Sequence, residues 1–202
     1  IYACYYKHSK VNEKQILLES FHGKDISDSS FAMLREFLKR PDSYDYKIYF
    51  ATTKKEAHSN MLKSMGLNQV NLVDITTFEY VKVLATSKYL INNSSFPVYF
   101  IKRPEQIYLQ TWHGTPLKTL GKEMRFGIES MYNIQHNFMQ ADSLMFPNKF
   151  TKEVMMRDYN LEKLYTGKVV YNGYPRNTVF SDQKRGNEIK KQIGNENYTT
   201  FA

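Results

Sequence analysis

Residues 110–118, Gln-Thr-Trp-His-Gly-Thr-Pro-Leu-Lys, bring an imidazole, an indole, two hydroxyls, a glycine and an ammonium within nine positions. Imidazole is the side chain whose ordinary pKa best suits proton transfer near neutrality. With the indole of Trp112 on one side of His113, and Gly114, Thr115 and Lys118 on the other, the stretch can make a site for a phosphorylated ligand. The preceding residues 106–111 alternate polar and apolar, as a strand with one buried face does. Gly114 and Pro116 then break the pattern, so His113 is expected in the loop beyond the strand's carboxyl end. In open α/β sheets, ligands bind at such ends. The spacing alone fits a hydrogen-bonded turn histidine of no chemical role as well.

Other candidates carry paired readings. Arg176 follows a Gly-Tyr-Pro turn and can fork onto a phosphate or form a surface salt bridge. Lys118 either neutralises phosphate charge or is solvated. Asn92 and Asn93 can hold the hydroxyls of a polyol or close an Asx-type turn. Trp112, the only tryptophan, packs in the core or walls a pocket. Of the five histidines, only His113 and His22 fall on rim loops. His136 lies inside a helical pattern and reads as structural or exposed, and His8 and His58 carry no signal. No nicotinamide fingerprint, Walker loop, nucleophile elbow or zinc spacing occurs, so neither a metal site nor a tightly bound cofactor is expected.

The elements that must position these residues follow from periodicity and breakers. Strands are expected at residues 16–21, 46–51, 70–73, 89–91, 106–111, 143–146 and 168–171. Between them, Asp28 or Ser29 caps a helix with Phe31, Leu34, Phe37 and Leu38 on its apolar face, stopped before Pro41. A helix over residues 56–65 closes at Gly66. Thr76 or Thr77 caps another, with Phe78, Val81 and Ala85 on one face. Ile128, Met131, Gln135 and Phe138 mark a further helix, and Asn148 caps one running to Asp158. Residues 181–195 read as a charged helix, and residues 198–202 as the start of a strand. Strands alternating with helices over short connections imply a Rossmann-like α/β domain, a parallel sheet with helices on both faces. Four polar, glycine-bearing loops then share one rim: residues 21–24, 92–95, 112–118 and 173–177.

Composition narrows the class. The 202 residues are 42% hydrophobic with 13 Phe and 16 Tyr, which excludes disorder and allows a sizeable core. No apolar run approaches the roughly 18 residues of a membrane span, and no signal-peptide pattern opens the chain. A start at Ile1 suggests a segment of a longer protein. The single Cys4 excludes an internal disulfide and fits a reducing compartment. A net charge of +8 fits a polyanionic partner, whether nucleic acid, an anionic membrane surface or a phosphate-rich polymer. It equally fits a soluble domain from a Lys- and Asn-rich proteome. Scattered lysines and the lack of a nucleic-acid motif argue against nucleic acid.

Several of these segments together resemble the CDP-glycerol glycerophosphotransferases of teichoic acid synthesis. They are Thr-Phe-Glu-Tyr at 77–80, Ala-Thr-Ser-Lys-Tyr-Leu-Ile-Asn-Asn at 85–93 and the run 110–121. Glu-Ser-Phe-His-Gly-Lys at 19–24, Phe-Pro-Asn at 146–148 and Gly-Tyr-Pro-Arg-Asn at 173–177 complete the match, over roughly residues 15–180. The resemblance implies a GT-B fold with its active site between two Rossmann-like halves. This chain would supply the amino-proximal, acceptor-side half. Residues 1–14 would be a lead-in from a longer chain, 15–180 the Rossmann-like domain, and 181–202 a helix and the start of the connection to a carboxyl-terminal donor domain.

By the same resemblance His113 is a general base. Thr111, Trp112, Gly114, Thr115, Pro116 and Arg176 line the donor's phosphoryl groups, and Lys118 and Asn93 count among the substrate-binding residues. Thr178 stands where the family has Asp, which touches only the capping of that turn. The implied reaction moves a polyol phosphate from CDP-glycerol, or CDP-ribitol, to a lipid-linked polyol phosphate acceptor in teichoic acid or capsule polymer synthesis, releasing CMP. A divalent-metal requirement is left open. The implied location is peripheral, at the cytoplasmic face of the cell membrane, against an anionic surface, and the fragment alone is expected to be inactive. The competing readings are a GT-B sugar transferase and a non-catalytic domain that binds membrane or anionic polymer.

Overall fold

The alternation of strands and helices is realised as one seven-stranded, wholly parallel sheet. The computed structural model describes residues 1–125, 131–181 and 183–194. In chain order the elements are α1 (Tyr2–His8), β1 (Asn12–Glu19), α2 (Asp28–Phe37), β2 (Lys47–Thr52), α3 (Lys55–Ser64), β3 (Val70–Asp74) and α4 (Phe78–Thr86). There follow β4 (Ser87–Asn92), β5 (Ile107–Gln110), α5 (Tyr132–Gln140), β6 (Ser143–Phe146), α6 (Lys149–Asp158), β7 (Lys168–Tyr171) and α7 (Gln183–Gln192). The sheet order is β3-β2-β1-β4-β5-β6-β7. The chain works outward from β1 to β3, then returns to lay β4 on the other side of β1. The strand order therefore reverses between β1 and β4, with Glu19 opposite Asn92 at the carboxyl ends. A reversal of this kind opens a crevice above the sheet.

The strands are apolar on both faces because helices cover both. Leu17 of β1 joins Tyr80 and Leu84 of α4, Phe138 of α5 and Met155 of α6 in one core. Its neighbours Ile16 and Leu18 point the other way, to Leu34 of α2 and Leu62 of α3. Each such side chain contributes about 1.5–3 kcal/mol on leaving water. Local signals act as the sequence suggested at several ends. The Thr77 hydroxyl accepts from the Tyr80 amide to start α4, Asn148 Oδ1 accepts from the Thr151 amide to start α6, and Gly66 follows α3 with φ +72°. The stretch expected to be a lead-in contributes α1 and the first residues of β1. Tyr2 is buried there and its hydroxyl donates to the carbonyl of Ile101.

Three expectations are corrected. At β5 and the residue before it the buried positions are Gln106, Tyr108 and Gln110, while Ile107 is 46% exposed. The amides can go inward because carbonyls wait for them: Gln106 Nε2 donates to Leu84 and Ser87, and Gln110 Nε2 to Ser94. On α4 the buried face is Tyr80, Val83, Leu84 and Ala85, with Phe78 exposed in the first turn, ahead of the part of the helix that meets the sheet. Helix α2 takes Ser27 as its N-cap, with no side-chain cap bond, and Asp28 sits at φ +61°. The Asp28 carboxylate is committed instead to a wider set of partners described below. Ile128 and the strand expected at 198–202 lie outside the described residues. The charged tail helix is described as α7.

Candidate active site

Three strand ends meet at the reversal: Glu19 of β1, Asn92 of β4 and Gln110 of β5. Each turns a polar side chain into the protein, and all three are buried. The Glu19 carboxylate accepts from the Tyr80 hydroxyl at 2.6 Å and from Asn92 Nδ2 at 3.4 Å. Asn92 Oδ1 accepts from the Ser94 amide, closing the Asx-type turn, and Gln110 Oε1 accepts from the Trp112 amide at 2.8 Å. Buried polar groups cost little only when partnered. Asn92 and Gln110 find theirs on the backbones of the loops after β4 and β5, so the network fixes both loops. The loop after β4 is also anchored by Phe96 and Phe100, which pack against Tyr108 with ring centroids 5.2 and 5.8 Å away.

Burial lifts the Glu19 carboxyl from 4.5 to about 7, opposed by the hydrogen bonds from Tyr80 and Asn92. Between those values the folded protein holds a proton that the unfolded chain has released, so stability falls as pH rises through the interval. Replacing Glu19 with Gln is expected to remove this slope. In urea unfolding at about pH 5 and about pH 8, the wild type should lose about 2–3 kcal/mol more than the variant over that range. Equal slopes in the two proteins would refute the assignment.

His113 stands on this platform. Its Nδ1 lies 2.6 Å from the carbonyl oxygen of Asn93. A carbonyl only accepts, so Nδ1 carries the hydrogen and Nε2 keeps its lone pair. The ring stacks on Trp112, centroids 4.1 Å apart and 32° between planes, and meets Phe21 edge-on at 5.7 Å. Trp112 also packs against Phe138 and Tyr159, so it serves the core and walls the site at once.

Asp28, read from the sequence only as a helix cap, is the residue that ties the rim together. Its buried carboxylate accepts from Arg176 Nη1 at 2.6 Å, from Asn93 Nδ2 at 2.6 Å and from the Ser29 amide at 2.7 Å. Arg176 Nη1 donates onward to the carbonyl of His113 at 2.8 Å, and its guanidinium lies over the Tyr174 ring at 4.3 Å. The ion-pair reading of Arg176 is thus realised, but at the site rather than on a remote surface. Asn93 Oδ1 accepts from the Phe21 amide at 2.9 Å. All four rim loops expected from the sequence are brought together, and the start of α2 is a fifth member.

Strain marks the same place. Of the five non-glycine residues with left-handed backbone among those described, Phe21, His22, Asp28 and Trp112 lie on the rim. Each costs on the order of 1–3 kcal/mol and persists only where surroundings over-determine it, as they do at functional sites. Thr111 of the motif and Asn93 of the loop after β4 are wholly buried, and their polar groups are engaged by the protein. They position the site. Thr115 and Lys118 are exposed, and Gly114 and Pro116 half-buried, so residues 114–118 form its solvent-facing lip. Among the described residues no three His, Cys, Asp or Glu side chains converge as metal ligands.

A profile of the family described as CDP-Glycerol:Poly(glycerophosphate) glycerophosphotransferase matches residues 1–200. A teichoic acid poly(glycerol phosphate) polymerase of Bacillus spizizenii is 29% identical over 193 residues, 91% of this chain and 47% of that protein. A teichoic acid glycerol-phosphate transferase of Staphylococcus aureus is 29% identical over 187 residues, 88% of this chain and 44% of that protein. The chain spans just under half the length of both. The solved structure of the wall teichoic acid polymerase TagF superposes with a TM-score of 0.76 at 23% identity, covering 98% of this chain and 49% of that one. A TagF variant soaked with CDPG gives 0.77 at 24% identity, covering 96% and 47%. This likeness shows the fold, the Rossmann-like half of a GT-B architecture.

Proposed function

The chain belongs to the CDP-Glycerol:Poly(glycerophosphate) glycerophosphotransferase family, and on that premise we propose that it forms the acceptor-side half of an enzyme moving glycerol phosphate from CDP-glycerol to a lipid-linked polyol phosphate. The observation that carries this reading is the His113 clamp. Nδ1 is held by the Asn93 carbonyl, which leaves Nε2 as the basic nitrogen on a ring stacked against Trp112.

In the proposed reaction the terminal hydroxyl of the acceptor attacks the glycerol-bearing phosphorus. Its proton passes to His113 Nε2 as the new P–O bond forms. The bond to the CMP oxygen breaks, CMP departs with the electron pair, and the imidazolium returns its proton to solvent. Arg176 engages the protein through Nη1, so its other N–H groups can meet a phosphoryl oxygen while Asp28 holds the guanidinium in place. The Gly114 amide, the Thr115 hydroxyl and Lys118, on the exposed lip, add donors for charge that grows in the transition state. A carboxyl-terminal domain of the natural-length protein would hold the nucleotide. The net charge of +8 suits work at an anionic membrane surface, and none of the described helices is long and apolar enough to cross a membrane. The proposal includes a peripheral position on the cytoplasmic face.

The test is transfer of radiolabelled glycerol phosphate from CDP-glycerol to a lipid-linked acceptor by the chain at its natural length. Release of CMP in step with polymer-bound label is the expected result. Turnover of CDP-ribitol or of a sugar nucleotide in its place would overturn the donor assignment.

A further inference from the structure

The rim carries a second imidazole that the proposed reaction does not use. His22 Nδ1 lies 3.1 Å from the carbonyl oxygen of Ser95, two residues beyond the carbonyl that holds His113. The same logic applies: a carbonyl accepts, so Nδ1 carries the hydrogen and Nε2 is the open nitrogen. Two imidazoles are therefore fixed in one tautomer by one loop. Phe21, adjacent to His22 in sequence, touches the His113 ring.

The turn that presents His22 is locked while the side chain stays partly open to solvent. The Gly23 carbonyl accepts from the Thr53 amide at 2.7 Å and from its hydroxyl at 3.1 Å. A Cβ on Gly23, at φ +72°, would meet Ile75 Cγ2 at 2.9 Å and the Thr52 backbone at 3.3 Å, so the turn has no room to relax. His22 holds φ +56° within it. Glycine would fit that backbone without cost, and an exposed imidazole adds nothing to the core.

We propose that His22 is a second substrate-contacting residue of this site, hydrogen-bonding through Nε2 to a non-bridging oxygen of the donor's diphosphate. This rests on the phosphoryl-transfer reading above and assigns the two imidazoles different work. His113 takes a proton from the acceptor, and His22 gives a hydrogen bond to the donor. The charged and titratable groups facing His22 are Lys24 on its own turn and His113 from the loop after β5. Partial burial disfavours its protonation most, the Ser95 carbonyl opposes that, and Lys24 and His113 add smaller disfavouring contributions. Arg176 and Asp28 are paired with each other. An anionic diphosphate reverses the balance: His22 takes up a proton from solvent when the donor binds. Donor affinity then falls as pH rises.

The experiment uses the natural-length protein and its His22→Gln and His22→Ala variants, with kcat and KM for CDP-glycerol measured from about pH 6 to about pH 9. At the acid end the variants are expected to raise KM about tenfold, as for loss of one charge-assisted hydrogen bond, with a smaller change in kcat and no pH trend in KM. Variants that keep the wild-type KM and its pH trend would overturn the proposal. In parallel, the His22 imidazole is titrated by NMR with and without inorganic pyrophosphate. An upward shift of its pKa on addition supports the contact, and an unmoved titration refutes it. Because pyrophosphate carries no nucleotide or polyol, this arm decides on His22 even if CDP-glycerol proves not to be the donor.

Discussion

Replacing His113 with Ala is expected to lower kcat by about 10²–10⁴-fold, the usual worth of a positioned general base. The KM for CDP-glycerol should change by no more than about threefold, because in the proposed reaction the donor is held by groups that the substitution leaves in place. The ring sits half-exposed on Trp112, so its loss opens the site outward and leaves no sealed cavity. The thermal midpoint should therefore barely move. Steady-state kinetics on the natural-length protein, with thermal melts alongside, check both halves of the expectation. Turnover that survives the substitution would remove His113 as the base. Lost donor binding with unchanged single-turnover chemistry would make it a binding residue instead.

The second large effect is expected at Asp28. Its carboxylate is buried while Arg176 is about a third exposed, so the pair lies between the surface and interior limits. Replacing Asp28 with Ala leaves Asn93 Nδ2 and the Ser29 amide without their acceptor and the Arg176 guanidinium uncompensated. A loss of about 2–4 kcal/mol in urea unfolding is expected. The same substitution frees the Arg176 contact to the His113 carbonyl, so turnover should fall as well. Asp28→Asn is expected to fall between the two, since one amide oxygen can still accept but its NH2 group faces the NH2 of Asn93. A double-mutant cycle with Arg176→Ala separates the ion pair from the rest. Additivity of the two substitutions would show that the pair contributes nothing beyond its parts.

These residues also show how far the sequence could be read. His113 was legible because a strand pattern ran directly into Gly and Pro, and breakers of that kind act locally. Arg176 was legible as a cation after a rigid turn, but its partner was not. Asp28 lies 148 positions away, and nothing in either neighbourhood names the other. Asp28 itself reads as a helix cap because Asp before an apolar stripe has that signature. The pair Asp-Ser beside a rim loop was the one available hint of a further role. Glu19 and Tyr80 were hidden by their surroundings. A carboxylate ending an apolar strand reads as the first solvated residue, whereas the fold buries it against α4. Gln110 of β5 and Gln106 just before it mislead for a similar reason, since alternation gives a period and not which parity faces in.

By itself the sequence determined the order of the seven strands and of the helices between them, because hydrophobic periodicity, caps and breakers operate within a few residues, while helix α1 and the start of β1 carried no such signal. It also determined that four polar loops would share one rim, since a parallel sheet puts every strand's carboxyl end on the same side. Only the tertiary structure decided which strands stand side by side. Placing β4 against β1 puts Glu19 opposite Asn92, opens the crevice there, and brings Asp28, Asn93, His113 and Arg176 into contact. Those contacts span up to 148 residues and depend on strand order, which the 2.0 and 3.6 residue periods of the chain do not encode.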